Sequence, residues 1–310
     1  MRLQAEYIAV ARRYPATREQ ASRRLRRLSE HAQPGSLAGC VLLANLAADA
    51  LESEGAAEQA TRLADAALRE EHLLVAEELD VALLATSVLM STDRLDTAWR
   101  VWTAAVERAR RWGSITGFAG AATIRACLAY RCGQLMEAEA DARLADDMHR
   151  EYGHHPLRRY SVAFLVGALV ERGEVRAAAD VLDDSAVTVN LSLLLDSRGR
   201  LRCAQGRFAE AVDDFLACGQ RLTARGTRHP GMFPWRSNSA LALWRIDQPR
   251  DARRLVDEEL GQAPRLGVEC ALGTRAAGRR SGPRRSRRPG NAGRGGKRAR
   301  RLLGPPGAGP

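Results

Sequence analysis

The sequence repeats one helical hairpin six times, and this repetition constrains the fold more than any other feature. The unit is clearest in the run GRLRCAQGRFAEAVDDFLAC, which begins at Gly199. A small residue there lets two helices approach, and Gly206 provides the turn between them. After the turn, apolar residues recur at helical spacing, as on the buried face of a second helix. The equivalent turn residues are Gly55, Asp93, Gly133, Gly173, Gly206 and Asp247.

Small residues recur at fixed distances from these turns. Five residues after each turn stands an alanine: Ala60, Ala98, Ala138, Ala178, Ala211 and Ala252. Positions nine and twelve after the turn are also small or apolar, and only Glu259 breaks that pattern. The spacing is typical of the tetratricopeptide (TPR) repeat, whose minimal unit has about 34 residues. We therefore predict an all-α, right-handed solenoid of about six TPR-like helical hairpins over residues 1–268.

Local signals predict several details of this array. Two helices are expected before the first repeat, at Leu3–Arg13 and at Thr17–Glu30, with Thr17 as the cap of the second. Trp99 and Trp102 share a helix face and should pack against the next repeat. Gly113 should end a helix, Pro264 should interrupt the last helical turn, and the acids and arginines of GQLMEAEADARLADD should face outward.

The basic charge of the chain is concentrated in residues 269–310. Of the 48 Lys and Arg residues, 12 lie in residues 271–310, which have no Asp or Glu; this leaves 36 basic against 37 acidic residues elsewhere. The segment is rich in Arg, Gly and Pro, a composition that cannot bury a core. We expect it to be a disordered basic tail. It could be a frameshifted continuation of a longer helical domain, or a tail that contacts nucleic acid weakly and without sequence specificity.

Neither metal sites nor disulfides are expected. The six cysteines (Cys40, Cys127, Cys132, Cys203, Cys218, Cys270) form no CxxC pair and are interpreted as reduced core residues. His149, His154 and His155 lack HExxH spacing and flank a loop. The N-terminal residues lack the apolar core of a signal peptide, and the longest apolar run is too short to span a bilayer, so we expect a cytoplasmic protein without membrane contact.

Two segments permit a functional as well as a structural interpretation. In SRRLRRLSEH, Leu25 and Leu28 lie on one helix face among arginines, which favours a solvated helix covering a core over a helix that binds nucleic acid. Trp235 precedes a helix and follows a proline-containing loop. We expect it to staple that loop onto the array, and the alternative is an exposed aromatic ring that contacts a ligand.

Several runs resemble one family of regulators. They are GFAGAATIRACLAYRCGQLMEAEADAR, RGRLRCAQGRFAEAVDDFLACGQRL and PWRSNSALAL, followed by DARRLVDEELGQAPRLG. They resemble the helical central region of the large ATP-dependent LuxR-family transcriptional regulators, over most of Arg2 to about Thr274. In that family a STAND-type nucleotide-binding domain precedes the helical region, a helix-turn-helix follows it, and the helical region receives an inducer or partner.

The chain lacks the motifs of the two flanking domains. A P-loop needs GxxxxGK[ST], but the only lysine, Lys297, stands outside such a motif, and no recognition helix with its turn is evident. No catalytic, cofactor-binding or metal residue is therefore assigned. The resemblance implies a shortened regulator, that is, a non-enzymatic module that senses a signal or binds a protein or small effector on a concave helical surface. The alternative is a nucleic-acid-binding protein that acts through its arginine-rich tail.

Overall fold

The computed structural model is all-α throughout the part of the chain that it describes. It describes residues 1–12, 14–53, 56–70, 72–74, 79–152, 157–184, 191–225, 227 and 233–266. These residues contain 14 α-helices, a short 3-10 helix at Ser29–His31, and no strand. The α-helices are α1 Arg2–Ala11, α2 Pro15–Arg27, α3 Leu37–Leu51, α4 Ala57–Leu68, α5 Leu79–Ser91, α6 Leu95–Arg111, α7 Ile115–Arg131, α8 Leu135–Glu151, α9 Arg158–Glu171, α10 Val175–Asp184, α11 Ser192–Ala204, α12 Phe208–Ala224, α13 Trp235–Arg245 and α14 Pro249–Leu266.

Successive helices pair into hairpins, and the hairpins stack in chain order. Each odd-numbered helix packs on the next odd-numbered helix, from α1 against α3 to α11 against α13. Each even-numbered helix packs on its own partner, and those from α2 to α12 also pack on the following odd-numbered helix. The result is the two-layer arrangement of a helical repeat array, in which each unit contacts its neighbours. Across the described helices, none combines the length and the apolar character needed to span a bilayer.

The turn residues have the backbone conformation that the repeat pattern predicts. Asp93 and Asp247 have φ values of 56° and 60°, and the glycines at the equivalent turns have φ between 74° and 79°. This left-handed region is where a helix C-terminus commonly ends, and glycine enters it without a Cβ clash. Gly113 also has a positive φ and ends α6, as predicted. Gly55 lies outside the described residues.

The predicted small-residue positions form the core between paired helices. All six alanines five residues after a turn are buried: Ala60, Ala98, Ala138, Ala178, Ala211 and Ala252. Gly199 shows why small residues are needed there. A Cβ on Gly199 would lie 2.6 to 2.9 Å from ring atoms of Phe215, which is closer than side chains tolerate. The α11–α12 pair can therefore approach only because residue 199 has no side chain.

The N-terminal residues form a seventh hairpin that lacks the repeat signature. Helices α1 and α2 pack on each other and on α3, so they continue the array. Thr17 does not cap α2, contrary to the sequence prediction, because the helix begins earlier, at Pro15, and its N-cap is Tyr14. Proline suits the first helical position, where the missing N–H has no partner to lose. The Thr17 hydroxyl instead donates to the carbonyl oxygen of Ala11, at 2.7 Å.

Two acids of α8 lie inward, contrary to the prediction that this helix turns its charges outward. Asp141 and Asp146 are buried because each carboxylate is paired with an arginine from an odd-numbered helix. The Arg125 guanidinium donates two hydrogen bonds to Asp141, at 2.6 and 2.5 Å. The Arg158 guanidinium donates one to Asp146, at 2.8 Å. A buried carboxylate needs such partners, since burial of an unpaired charge is strongly unfavourable.

The tryptophans of α6 pack in two different directions. Trp99 lies against the alanine cluster formed by Ala129, Ala138 and Ala168, so it contacts the following repeats as predicted. Trp102 is fully buried within its own hairpin, where its indole N–H donates to the Thr86 hydroxyl at 2.7 Å. The shared helix face therefore covers both the interior of one hairpin and its junction with the next.

Two further differences concern the last hairpin and the cysteines. Helix α14 continues through Pro264 to Leu266, so the proline does not interrupt its backbone. Close to a helix end, a proline removes one hydrogen bond without having to break the helix. The five described cysteines are all free thiols, but Cys132 is exposed and Cys203 is half-buried. The prediction that every cysteine is a core residue is therefore wrong for these two. Cys132 is exposed because it directly precedes the turn at Gly133.

Candidate interaction surface

The odd-numbered helices present a shared face where consecutive helices meet. We count residues back from each turn residue. Position 6 is four residues from positions 10 and 2 and three from position 3, so these four positions lie on one side of each helix. Contacts between neighbours occur there at several junctions. The sulfur atoms of Met90 and Cys127 are 3.6 Å apart, and a Cβ on Gly167 would lie 3.3 Å from the Tyr130 ring. We call this side of the odd-numbered helices the odd-helix face.

A row of polar side chains crosses this face from α7 to α13. We call it the polar row, and its members are Tyr130, Glu171, Asp196, Arg200 and Asn238. The first four occupy positions of the odd-helix face, and Asn238, nine residues before its turn, reaches them from beside it. The Arg200 guanidinium donates to Asp196 at 2.8 Å and to Glu171 at 3.4 Å. The Asn238 amide donates to the other carboxylate oxygen of Asp196, at 3.0 Å. Three consecutive odd-numbered helices, α9, α11 and α13, are thereby connected through the Asp196–Arg200 pair.

Burial and charge together shape the electrostatics of the polar row. Desolvation by burial raises the pKa of Tyr130; the carboxylates of Glu171 and Asp196 raise it further, while Arg200 opposes them. Burial acts to lower the pKa of Arg200, but Asp196 and the other neighbours outweigh it, so the net shift is upward. Tyr130 is therefore held protonated and Arg200 charged. The row thus combines a phenol, an amide and a paired arginine, and Tyr130, Arg200 and Asn238 are each partly buried.

The α13 end of the odd-helix face is apolar and exposed. Leu241 and Trp244 occupy positions 6 and 3 before the turn, and they are 51% and 42% exposed. At the equivalent positions Cys127 and Met90 are buried against each other. We call Leu241 and Trp244 the apolar pair. A partly buried aromatic ring beside an aliphatic side chain is the kind of anchor that dominates protein interfaces.

Paired arginine and aspartate side chains lock two hairpins beneath this face. Arg125 and Asp141 stand eight residues before and after the turn of their hairpin, and Arg198 and Asp214 hold the same positions two hairpins later. The Arg198 guanidinium donates two hydrogen bonds to Asp214, at 2.9 and 2.5 Å. The other hairpins have at these positions the pairs Ala47/Leu63, Ala85/Val101, Leu165/Val181 and Ser239/Leu255. This alternation between ionic and mainly apolar pairs is visible in the sequence, and sequence reasoning missed it.

The sequence singled out Trp235, three histidines and the C-terminal tail as candidate functional features. The Trp235 ring lies directly against the backbone of Gly219 and packs in the core cluster with Leu222, so it holds the start of α13 on α12, as the structural interpretation expects. Residues 228–232 of the preceding loop lie outside the described residues. His149 is buried, with its Nε2 atom 3.3 Å from the Thr123 hydroxyl. Within the described ranges, no group of His, Cys, Asp and Glu side chains is arranged to hold a metal ion. His154 and His155 lie outside the described residues, as do Cys270 and the predicted tail at 269–310.

The N-terminal arginine segment behaves as its structural interpretation predicts. Leu25 is buried and Leu28 packs partly buried against the same core. The arginines between and beside them are exposed on α2. A cleft of about 630 Å³ lies between α2 and the α3–α4 hairpin. One of its charged side chains, Asp49, is already paired with Arg12.

Comparison with known proteins finds other helical repeat proteins. No family model matches the chain, and no curated protein matches its sequence. The structural neighbours are TPR-like helical repeat proteins. One is a crystal structure of a variant of the nearly identical TPR-like repeats of a putative kinesin light chain from Podosopora anserina. It is 17% identical in sequence to this chain, with a TM-score of 0.39, and the match covers 63% of this chain and 93% of that chain. A second crystal structure of those repeats is 18% identical, with a TM-score of 0.38 and coverages of 63% and 94%. The likeness concerns the fold alone.

Proposed function

We propose that this chain is a protein-interaction module that holds a polypeptide segment along the odd-helix face, from α7 to α13. The observation that carries the proposal is the polar row, which ends in the exposed apolar pair. Stacked hairpins form extended surfaces of this kind because each repeat adds one odd-numbered helix to the same side. A segment lying across four helices at about 9 Å spacing would cover roughly 30 Å, the length of about nine extended residues.

The chemistry of the surface indicates what such a segment should offer. The carboxylates and the guanidinium of the polar row are already paired with each other, so the row presents hydrogen-bonding groups more than free charge. The apolar pair needs an apolar side chain to cover Trp244. A matching segment therefore combines one large apolar residue with hydrogen-bonding backbone or side chains at its other end. The module is non-enzymatic in this proposal.

The resemblance to LuxR-family regulators suggests where such binding would be used. In those proteins the helical region receives an inducer or partner. We propose the same receiving role for this chain, in regulation of transcription, through the odd-helix face. The runs that carry the resemblance include most of α7 and α13 and the second half of α11, which are helices of that face.

A displayed library of random peptides, about 16 residues long, tests the proposal. Selected peptides are titrated by fluorescence anisotropy against the full chain, the Leu241→Ala/Trp244→Ala variant, and the control Trp112→Ala. Trp112 is an exposed tryptophan at the end of α6, away from the odd-helix face. We expect affinity to fall by roughly tenfold or more in the double variant, as for an interface anchor, and to stay unchanged in the control. Equal affinities for all three proteins would contradict the proposal.

A further inference from the structure

A stripe of exposed apolar side chains runs along α1 and into the turn that follows. Leu3, Tyr7, Val10 and Tyr14 stand four, three and four residues apart, and all four are exposed. We call them the α1 stripe. The spacing of Leu3, Tyr7 and Val10 is that of one seam on a helix, the pattern that packs against a second helix in coiled coils. Tyr14 follows the end of α1, in extended backbone before α2. The opposite side of α1 carries the buried residues Ala5, Ile8 and Ala11, and α1 itself packs on α3.

The surroundings of the α1 stripe are strongly basic. Residues 1–27 contain eight arginines and two glutamates, whereas residues 28–270 contain 28 basic and 35 acidic residues. Arg23 and Arg24 of α2 are exposed. Arg23 lies 3.6 Å from Glu19, and the Arg24 guanidinium lies 4.9 Å from the centre of the Tyr7 ring. Arg12 is set apart from this group by its contacts with Asp49 and Asn45. An apolar seam flanked by arginines is complementary to an apolar seam flanked by acids.

We propose that the α1 stripe docks an acidic amphipathic helix of a partner protein, which lies along α1 and adds one more helix to the odd-numbered layer. This surface is separate from the odd-helix face. The seam is one residue wide, which suits the interlocking side chains of two helices. A helix that lies in a membrane interface needs a broad apolar face, and α1 keeps its other apolar residues buried in the array. These two observations favour a helix over a lipid surface.

Two designed peptides provide the test. They are amphipathic helices with the same leucine seam, flanked by Glu in one and by Lys in the other, and each is titrated against the full chain by fluorescence anisotropy. We expect the Glu peptide to bind at least tenfold more tightly than the Lys peptide, with affinity that falls as salt rises. Equal binding of the two peptides, or binding of neither, would overturn the proposal.

Matched variants locate the binding on the molecule. Leu3→Asn/Val10→Asn removes two members of the α1 stripe without a change in charge, and Met136→Asn/Leu144→Asn makes the same kind of change on α8, where both residues are exposed. We expect the first variant to lose at least tenfold in affinity for the Glu peptide and the second to bind like the original chain. If the first variant loses helical signal by circular dichroism, Arg23→Gln/Arg24→Gln replaces it, with the same loss expected. Retained affinity in the stripe or arginine variants would overturn the proposal.

Other occupants give different outcomes. Co-sedimentation with vesicles of phosphatidylglycerol and phosphatidylcholine that is lost in Leu3→Asn/Val10→Asn, without binding of the Glu peptide, would assign the stripe to a membrane surface and overturn the proposal. Self-association in sedimentation velocity that disappears in the same variant, again without peptide binding, would assign it to a second copy of the chain and overturn the proposal equally.

Discussion

The Arg125–Asp141 pair gives the sharpest test of how the hairpins are held together. The perturbation is Asp141→Ala, which leaves the Arg125 guanidinium in its site without the carboxylate that accepts its two hydrogen bonds. Removal of one partner from a buried ion pair costs about 3–5 kcal/mol. The side chains here are 23% and 11% exposed, so solvent screens part of that energy. We expect a loss of about 2–3 kcal/mol in the free energy of unfolding.

The chain itself supplies the matched replacement. Two other hairpins have apolar pairs at the equivalent positions, Leu165 with Val181 and Ala85 with Val101. The double variant Arg125→Leu/Asp141→Val introduces the first of these combinations, and we expect it to lie within about 1 kcal/mol of the original chain, since a buried ion pair often exchanges with apolar residues at little cost.

Urea denaturation followed by circular dichroism measures both variants, and an exposed pair serves as the control. Asp65 pairs with Arg69 on the surface of α4, where both side chains are largely exposed. Asp65→Ala should therefore change the free energy of unfolding by no more than about 0.5 kcal/mol. A loss in Asp141→Ala no larger than in this control, or a double variant as unstable as the single one, would show that the ion pair does not hold the hairpin in this way.

Three other predictions follow from side-chain packing and burial. Gly199→Ala should destabilise the folded chain by about 1–3 kcal/mol, because the added methyl group meets the Phe215 ring. Gly261→Ala lies in open helical space and should stabilise it by about 0.5–1 kcal/mol. The urea midpoints of the two variants measure the difference, and equal midpoints would contradict the packing. Burial raises the pKa of Glu259 in the folded chain above its value in the unfolded chain, so this carboxyl makes the folded state less stable as pH rises through the folded-state pKa. Glu259→Gln should therefore become more stable relative to the original chain as pH rises from 4 to 7. A stability difference between the two proteins that stays constant over this range would argue against the shift. Ellman's reagent should modify the exposed Cys132 first. Burial raises the pKa of Cys127 to about 12, so its thiol should react only when the chain unfolds. Rapid reaction of Cys127 in the native chain would contradict its burial.

The regular parts of the fold were predictable because each hairpin satisfies a local rule. A turn that needs positive φ selects Gly or Asp, and a close helix contact selects alanine five residues later. Those two requirements act within one hairpin, so they leave a periodic trace in the sequence. The α1–α2 hairpin lacks that trace: its second helix begins at a proline, and Thr17 resembled a cap only because the helix start was placed too late.

The polar row could not be located from the sequence in the same way. Tyr130, Asp196 and Asn238 belong to different hairpins, and their proximity depends on how the odd-numbered helices pack on one another. Asp141 was predicted to face outward for a related reason, because an acid on a charged helix is normally exposed. It lies inward only because it pairs with Arg125, which stands 16 residues earlier in the chain. The repeat of that 16-residue spacing at Asp214 is the signal that could have found it.

The central claim is that this chain binds a polypeptide along the odd-helix face, and site-specific photo-crosslinking in the cells that make it tests this most directly. A photoreactive amino acid is placed at Leu241 or Trp244 on that face, and at Met136 or Leu144 on α8. All four positions are exposed, so the photoreactive group can be accommodated without repacking the core. We expect one defined protein adduct from positions 241 and 244, reproduced with the purified partner, and no such adduct from positions 136 and 144. The same adduct from all four positions, or from α8 alone, would contradict the claim.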